Sequence, residues 1–213
     1  MKTSKPTRRQ LIENCITKGL LVAGASTVSQ TQLLAFWEQG EAQANKPTST
    51  EVLGPFFRKG APNNATMRVS DEPGFPLRVN GKVSNTRGQK VQGVRIDMWQ
   101  ADHVGLYDVQ GYRYRTKLEV ESASEYAVET ILPGHYDDRP AQHIHYMISA
   151  PGHKTLITQA YFATDPFFDG DPDKNFKKRN IVTNRELVRP VALYEGPGQS
   201  RATIQFDNCL EKL

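Results

Sequence analysis

The chain has 213 residues, of which 38% are hydrophobic and 23% charged, a composition typical of one soluble globular domain. No apolar run approaches the roughly 18 residues needed to span a bilayer. The formal net charge is +4, but residues 1–44 carry five Lys/Arg and three Asp/Glu, which leaves 22 basic and 20 acidic residues for the remainder. That balance gives no case for nucleic-acid binding.

The first 44 residues are typical of an export signal. TRRQLI (residues 7–12) resembles the twin-arginine motif, residues 19–26 are weakly apolar, and Ala42-Gln43-Ala44 offers a small-x-small cleavage site. We therefore predict a leader over residues 1–44, cleaved near Ala44, and an exported domain over residues 45–213, periplasmic or extracellular and without stable membrane insertion. The alternative is a basic amphipathic helix that belongs to the fold.

Short segments of β composition alternate with turn signals after residue 46, and no stretch of ten or more residues there has a convincing period of 3.6. This pattern favours an all-β fold, a β-sandwich of mainly antiparallel strands. The predicted strands cover residues 77–83, 94–100, 112–119, 125–130, 142–149, 157–162 and 201–207.

A His-x-His pair lies in one of these predicted strands. Side chains two apart on a strand point to the same face, so His143 and His145 could reach one metal ion. Tyr107 and Tyr136 could add phenolate oxygens, hard anionic donors that suit Fe(III) better than zinc or copper(I). Each tyrosine taken alone is more simply explained by core packing. The other tyrosines, Tyr161 among them, are assigned to strand packing.

The ordered set of motifs resembles the intradiol ring-cleaving dioxygenase family, over roughly residues 52–207. The HxH pair alone is weak support, and the full order of motifs is strong. The matching segments are LGPFFR (53–58), the Gly- and Val-rich run that ends in MWQAD (81–102), GLY (105–107), PGHY (133–136), RPAQHIH (139–145) and LITQAYFATD (156–165).

The resemblance implies a site residue by residue. Tyr107, Tyr136, His143 and His145 are expected to bind a non-haem Fe(III), with Tyr136 as the axial phenolate that leaves when substrate binds. Arg139 is expected to stabilise carbanion character on the substrate, and Gln159 to support Arg139 by hydrogen bonding.

The implied activity is cleavage of a catechol-type ring by O2 between its two hydroxylated carbons, giving a muconate-type dicarboxylate. The expected partners are this small aromatic substrate and O2. The domain is close in size to a protocatechuate-type subunit, which in the family works in oligomers, so a homo-oligomer is possible. The ring itself (protocatechuate, catechol, hydroxyquinol or a larger lignin-derived ring) stays open.

One spacing departs from the family pattern. Ala141 and Gln142 place one residue more than is usual between Arg139-Pro140 and His143. An extra residue before a strand can be absorbed as a β-bulge, or it could turn Arg139 away from the iron.

Two other functions fit parts of the sequence. The segment at residues 81–100 also resembles transthyretin-like domains, which would make the chain a non-enzymatic binding module. A zinc or Fe(II) site could instead combine the two histidines with Asp137 or Asp138.

Overall fold

Two packed sheets form the body of the molecule. The computed structural model describes residues 46–69, 72–120, 124–136, 139–196 and 199–213. The predicted leader (residues 1–44) lies outside the described residues. Within the described ranges, ten strands form two five-stranded sheets, and no helix there is long and apolar enough to cross a membrane.

The strands are short, and the helical turns lie between the sixth and the seventh strand. The strands are β1 (Pro76–Asn85), β2 (Val94–Trp99), β3 (Arg115–Val120), β4 (Glu125–Ile131), β5 (His143–Ser149), β6 (Leu156–Phe162), β7 (Val188–Arg189), β8 (Ala192–Gly196), β9 (Gln199–Gln205) and β10 (Asn208–Leu210). The helical turns are Pro166–Phe168, α1 (Pro172–Asn175), Lys178–Asn180 and Arg185–Leu187.

The first sheet is built around β1, and the second ends in a short edge strand, β7. In the first sheet β1 pairs with β4 in antiparallel fashion and with β9 and β10 in parallel, while β8 pairs with β9. The second sheet has the order β3-β2-β5-β6-β7, and only its β6–β7 pair is parallel. The predicted β-sandwich of mainly antiparallel strands is therefore confirmed.

The core lies between the two sheets, and β5 shows which of its faces is inward. Ile144, Tyr146 and Ile148 are fully buried members of the hydrophobic core. Tyr146 reaches across to Phe206, beside the first sheet, with ring centroids 5.0 Å apart. Because side chains alternate along a strand, the His143 and His145 side chains point to the opposite face of the second sheet.

That outer face is covered by loops. Both histidines are 3% exposed or less, although they point away from the core. We call residues 48–57 the cover segment, because its backbone hydrogen-bonds to β6 and β10: Thr48 N–H donates to the Cys209 carbonyl and Glu51 N–H to the Ile157 carbonyl. The site is thus a buried layer outside the sandwich core.

Sequence patterns located most of the strands and missed the shortest. All seven predicted strands are present, but the one predicted from residue 112 begins at Arg115. Tyr114 has φ 52°, and Arg115 N–H closes a turn on the Tyr112 carbonyl, which ends the extended conformation there. The strands β7, β8 and β10 were not predicted, because two to five residues give too few alternations for a pattern.

Candidate metal centre

The two histidines face two polar residues across the β5–β6 pair. His143 lies directly opposite Tyr161, and His145 lies opposite Gln159. All four side chains are 3% exposed or less. The Gln-x-Tyr spacing on β6 therefore repeats the His-x-His spacing on β5, and the four residues form one polar face in a buried layer.

Three donor atoms converge above this face. The Nε2 atoms of His143 and His145 are 3.2 Å apart. The Tyr107 hydroxyl is 3.5 Å from His143 Nε2 and 3.1 Å from His145 Nε2. Two donors bound to one ion at about 2.1 Å and at a right angle lie about 3 Å apart, so these separations fit ligands of a single metal ion.

Burial keeps both imidazoles neutral. Loss of hydration lowers the pKa of His143 to about 4, and the same cause lowers the pKa of His145 well below 6.5. His143 Nδ1 lies 2.7 Å from the Ala141 carbonyl oxygen. Nδ1 must therefore carry the proton, which leaves a lone pair on Nε2 to face the other donors.

Tyr107 and Tyr136 are brought together by two glycines. Each tyrosine is two residues after a glycine, and a Cβ on Gly134 would overlap the backbone of Gly105. Gly105 itself has φ +90° and packs against the His135 carbonyl. This contact between two loops needs residues without side chains, and it sets the Tyr107 and Tyr136 rings 5.7 Å apart and nearly perpendicular.

Tyr136 lies beside the three converging donors and forms a cluster of four with Tyr107, His143 and His145. Its ring centroid is 5.7 Å from that of His143. Burial, and next the neighbouring Tyr136, raise the pKa of the Tyr107 phenol well above 10. Two phenols this close resist losing both protons unless a cation is present to take up the negative charge. The arrangement is therefore a poor pair of free acids and a good pair of ligands for a highly charged ion.

Aromatic stacking fixes the orientation of two of the four rings. Trp99 lies parallel to His145, with centroids 4.8 Å apart and an interplanar angle of 6°. Phe56 of the cover segment stacks on Tyr107 at 4.2 Å and 12°. Gly54, at φ +74°, also lies against His145, where a Cβ would be 3.2 Å from Cε1. These contacts hold the His145 and Tyr107 rings in place.

Arg139 reaches the same site despite the extra residue before His143. Its Nη2 donates to Gln159 Oε1 at 2.7 Å and to the Tyr161 hydroxyl at 2.6 Å. Ala141 is fully buried, and the Gln142 N–H donates to Asp165 Oδ2 at 2.6 Å. The β5–β6 register is continuous from His143, so the extra residue is taken up ahead of the strand rather than as a bulge within it.

The structure brings together all six residues expected at the site: Tyr107, Tyr136, Arg139, His143, His145 and Gln159. Sequence reasoning missed Tyr161, which was assigned to packing. The signal that could have revealed it is its spacing of two from Gln159, the same spacing as in the histidine pair. Asp137 and Asp138, the carboxylates of the alternative zinc or Fe(II) site, lie outside the described residues.

The donor chemistry fits iron in its trivalent state. Two neutral imidazoles and two phenols that ionise on binding give a mixed nitrogen and hard-oxygen set. Among the described residues, no group of three or more His, Cys, Asp or Glu side chains is placed to hold a metal ion. The tyrosines are therefore what distinguishes this centre from an ordinary histidine–carboxylate site.

The fold and this site define a class of protein that sequence comparison also identifies. Residues 52–212 match the family described as Dioxygenase. The chain belongs to this family, the intradiol dioxygenases, and the alternative of a non-enzymatic binding module is wrong.

Several relatives show how far the similarity extends. Chlorocatechol 1,2-dioxygenase of Rhodococcus opacus is 31% identical over 77% of this chain and 72% of its own length. Hydroxyquinol 1,2-dioxygenase of Nocardioides simplex is 32% identical over 70% of this chain, but the match covers 57% of that protein. The chain thus spans between about half and three-quarters of the length of such relatives.

Solved structures agree on the fold. The dioxygenase domain of a dioxygenase–carbohydrate-binding fusion from Streptomyces sp. SirexAA-E superposes with a TM-score of 0.67 at 30% identity, over 79% of this chain and 100% of that one. The 3-chlorocatechol 1,2-dioxygenase of Rhodococcus opacus 1CP gives a TM-score of 0.68 at 20% identity, over 95% and 97% of the two chains.

Proposed function

We propose that this protein is an Fe(III)-dependent intradiol dioxygenase that cleaves a catechol-type ring with O2 to a muconate-type dicarboxylate. The observation that carries the proposal is the convergence of Tyr107 OH, His143 Nε2 and His145 Nε2 within 3.1–3.5 Å of one another, beside the Arg139 guanidinium. The relatives named above act on catechols and hydroxyquinol, and their family is generally Fe(III)-dependent.

Fe(III) held by the four ligands would draw electron density from a bound catecholate and so expose a ring carbon to O2. The proton transfer and the stabilisation of charge are assigned to side chains of the protein. We assign Tyr136 the role of base, which accepts a proton from one catechol hydroxyl at its phenolate oxygen. The Arg139 guanidinium stabilises the negative charge that develops on the ring. The cover segment keeps water from the buried histidines, which strengthens both effects.

Arg139 is suited to this role because, in the described part of the chain, its Nε is free to donate a hydrogen bond. Among the described residues, no hydrogen-bond acceptor meets its Nε, which is buried. An unmade hydrogen bond of this kind costs about 1–3 kcal/mol. An acceptor that reaches Nε would recover that energy.

The visible spectrum of the iron-loaded protein tests the proposal directly. We expect a red-brown tyrosinate-to-Fe(III) charge-transfer band, which shifts when catechol is added without oxygen. Catechol, 3-chlorocatechol and hydroxyquinol, tested in turn with O2, then rank the substrates by the yield of ring-cleaved dicarboxylate. A colourless protein whose spectrum does not respond to catechol would rule out a tyrosinate site.

We also propose export by the twin-arginine route, from the order of paired arginines, apolar stretch and Ala-x-Ala in residues 7–44. Replacement of Arg8 and Arg9 by Lys should keep the protein inside the cell. Mass spectrometry of the exported wild-type protein should give Asn45 as its first residue, and an uncleaved exported chain would contradict the predicted site.

A further inference from the structure

We propose that Tyr161 is a positioning residue whose hydroxyl holds the Arg139 guanidinium in its working orientation. The inference rests on the function proposed above, and it adds a residue to the machinery. Arg139, Gln159 and Tyr161 form a closed triangle of hydrogen bonds. Arg139 Nη2 is 2.6 Å from the Tyr161 oxygen and 2.7 Å from Gln159 Oε1, and the Tyr161 hydroxyl is 2.8 Å from the same Oε1.

The directions of these bonds follow from the donors available. Gln159 Nε2 donates to the Val52 carbonyl at 2.8 Å, so its Oε1 must face Arg139 and Tyr161. The Tyr161 hydroxyl has one proton, which it donates to Gln159 Oε1 or to the Ile181 carbonyl at 3.2 Å. In either case its oxygen lone pairs remain to accept from Arg139, and both protons of Nη2 are used.

Two neutral partners hold Arg139 without cancelling its charge. A tyrosine hydroxyl and a glutamine amide are both uncharged groups at neutral pH. A carboxylate in either place would neutralise the guanidinium and weaken its effect on a substrate. Hydrogen bonds from a charged donor are also stronger than neutral ones. The triangle therefore fixes the guanidinium and preserves its positive charge.

The position of Tyr161 on β6 is as constrained as that of the histidines. Tyr161 is fully buried and lies opposite His143 across the β5–β6 pair, with ring centroids 5.8 Å apart. A phenylalanine would satisfy the packing at this position equally well. The hydroxyl is the part of the side chain that packing does not require, and its short contact with Arg139 gives it a role.

A double-mutant cycle with Arg139 tests this inference. Tyr161→Phe should lower kcat for catechol about tenfold, equivalent to about 1.4 kcal/mol, with KM and iron content close to wild type. In the Arg139→Ala background, Tyr161→Phe should lower kcat less than about twofold further, because the group it positions is gone. An equal loss in both backgrounds, or no loss in either, would overturn the proposal.

Tyr126→Phe is the matched control. Tyr126 is also a buried strand tyrosine, but its hydroxyl donates to the Phe206 carbonyl, far from the site, at 2.7 Å. The Tyr126→Phe variant should lose stability, because the hydroxyl also accepts from Asn208 Nδ2 at 3.2 Å and both hydrogen bonds are lost, but it should keep its kcat. If Tyr161→Phe does not fold, Tyr161→Met fills the space with a flexible side chain and carries the same expectations.

Crystal structures of the wild type and of Tyr161→Phe give a readout that needs no activity. We expect the Arg139 guanidinium to turn away from Gln159 in the variant. A guanidinium that keeps its wild-type position would overturn the role of Tyr161 even if the protein cleaves catechols. Conversely, a displaced guanidinium in a protein that cleaves none of the three catechols would support the positioning and contradict the proposed function.

Discussion

The four donors of the site are held in two different ways. His143 and His145 belong to a central strand that is paired on both sides, with β2 and with β6. Tyr107 and Tyr136 belong to loops that meet through a pair of glycines. The strand side is fixed by a hydrogen-bond ladder and by core residues behind it, whereas the loop side is fixed by contacts between loops. The site thus combines two donors held by regular secondary structure, the strand half (His143 and His145), with two donors held by contacts between loops, the loop half (Tyr107 and Tyr136).

This division matches the chemistry proposed for each half. Ligands that stay bound throughout a turnover are best placed on regular structure, where neighbours over-determine their positions. A ligand that must also act as a base needs freedom to leave, and loops supply it. Tyr107, which is expected to stay bound, is stacked on Phe56 at 4.2 Å.

Removal of a strand histidine should have the largest effect. His145→Ala deletes one donor and leaves the stacked Trp99 without its partner. We expect iron affinity to fall by more than the roughly 100-fold that loss of an outer hydrogen-bond partner costs, with activity falling in parallel. Metal analysis of the purified protein measures this. His103→Ala, at an exposed loop position, is the control, and full iron content in His145→Ala would refute the strand half of the site.

Removal of the loop base should separate binding from catalysis. Tyr136→Phe keeps Tyr107 and both histidines, so iron should remain bound with a weaker charge-transfer band. We expect kcat to fall about 10³-fold, within the range for loss of a general base. Iron content and steady-state kinetics measured on the same sample check both statements. Unchanged turnover would remove Tyr136 from the ligand set.

The buried histidines of the strand half should make the stability of the metal-free protein depend on pH. His143 has a folded pKa of about 4 against about 6.5 unfolded, so the unfolded state binds more protons between these values. Stability should therefore fall as the pH drops from about 6.5 to about 4, by on the order of 3 kcal/mol for His143 alone. Urea unfolding at several pH values measures the slope.

Two variants sharpen the pH experiment. His143→Gln should flatten the dependence, because the group that gains a proton on unfolding has been removed. His103→Gln, in which an exposed side chain is changed, should leave the profile as in the wild type. A profile in His143→Gln identical to that of the wild type would contradict the burial of a neutral imidazole at this position.

The positions of the two histidines were also easier to predict from the sequence than those of the two tyrosines. Period-two spacing alone placed His143 and His145 on one face of one strand. The tyrosines were identified by their resemblance to a known family, because the contact between Gly105 and Gly134 joins residues about 30 positions apart and leaves no local pattern. Tyr161 was assigned to strand packing for a different reason: tyrosine is favoured in any strand, so its residue type carried no information without its partner.

The cover segment sets the order in which the molecule can be completed. Thr48 and Cys209 exchange two hydrogen bonds across 161 positions of sequence, and Val52 accepts from Gln159 on β6. Closing so long a loop comes late and slowly in folding. The hydrogen bonds that hold Thr48 can therefore form only after β10 has been synthesised. The proposed twin-arginine route, which carries folded proteins, would allow that final step to finish before export.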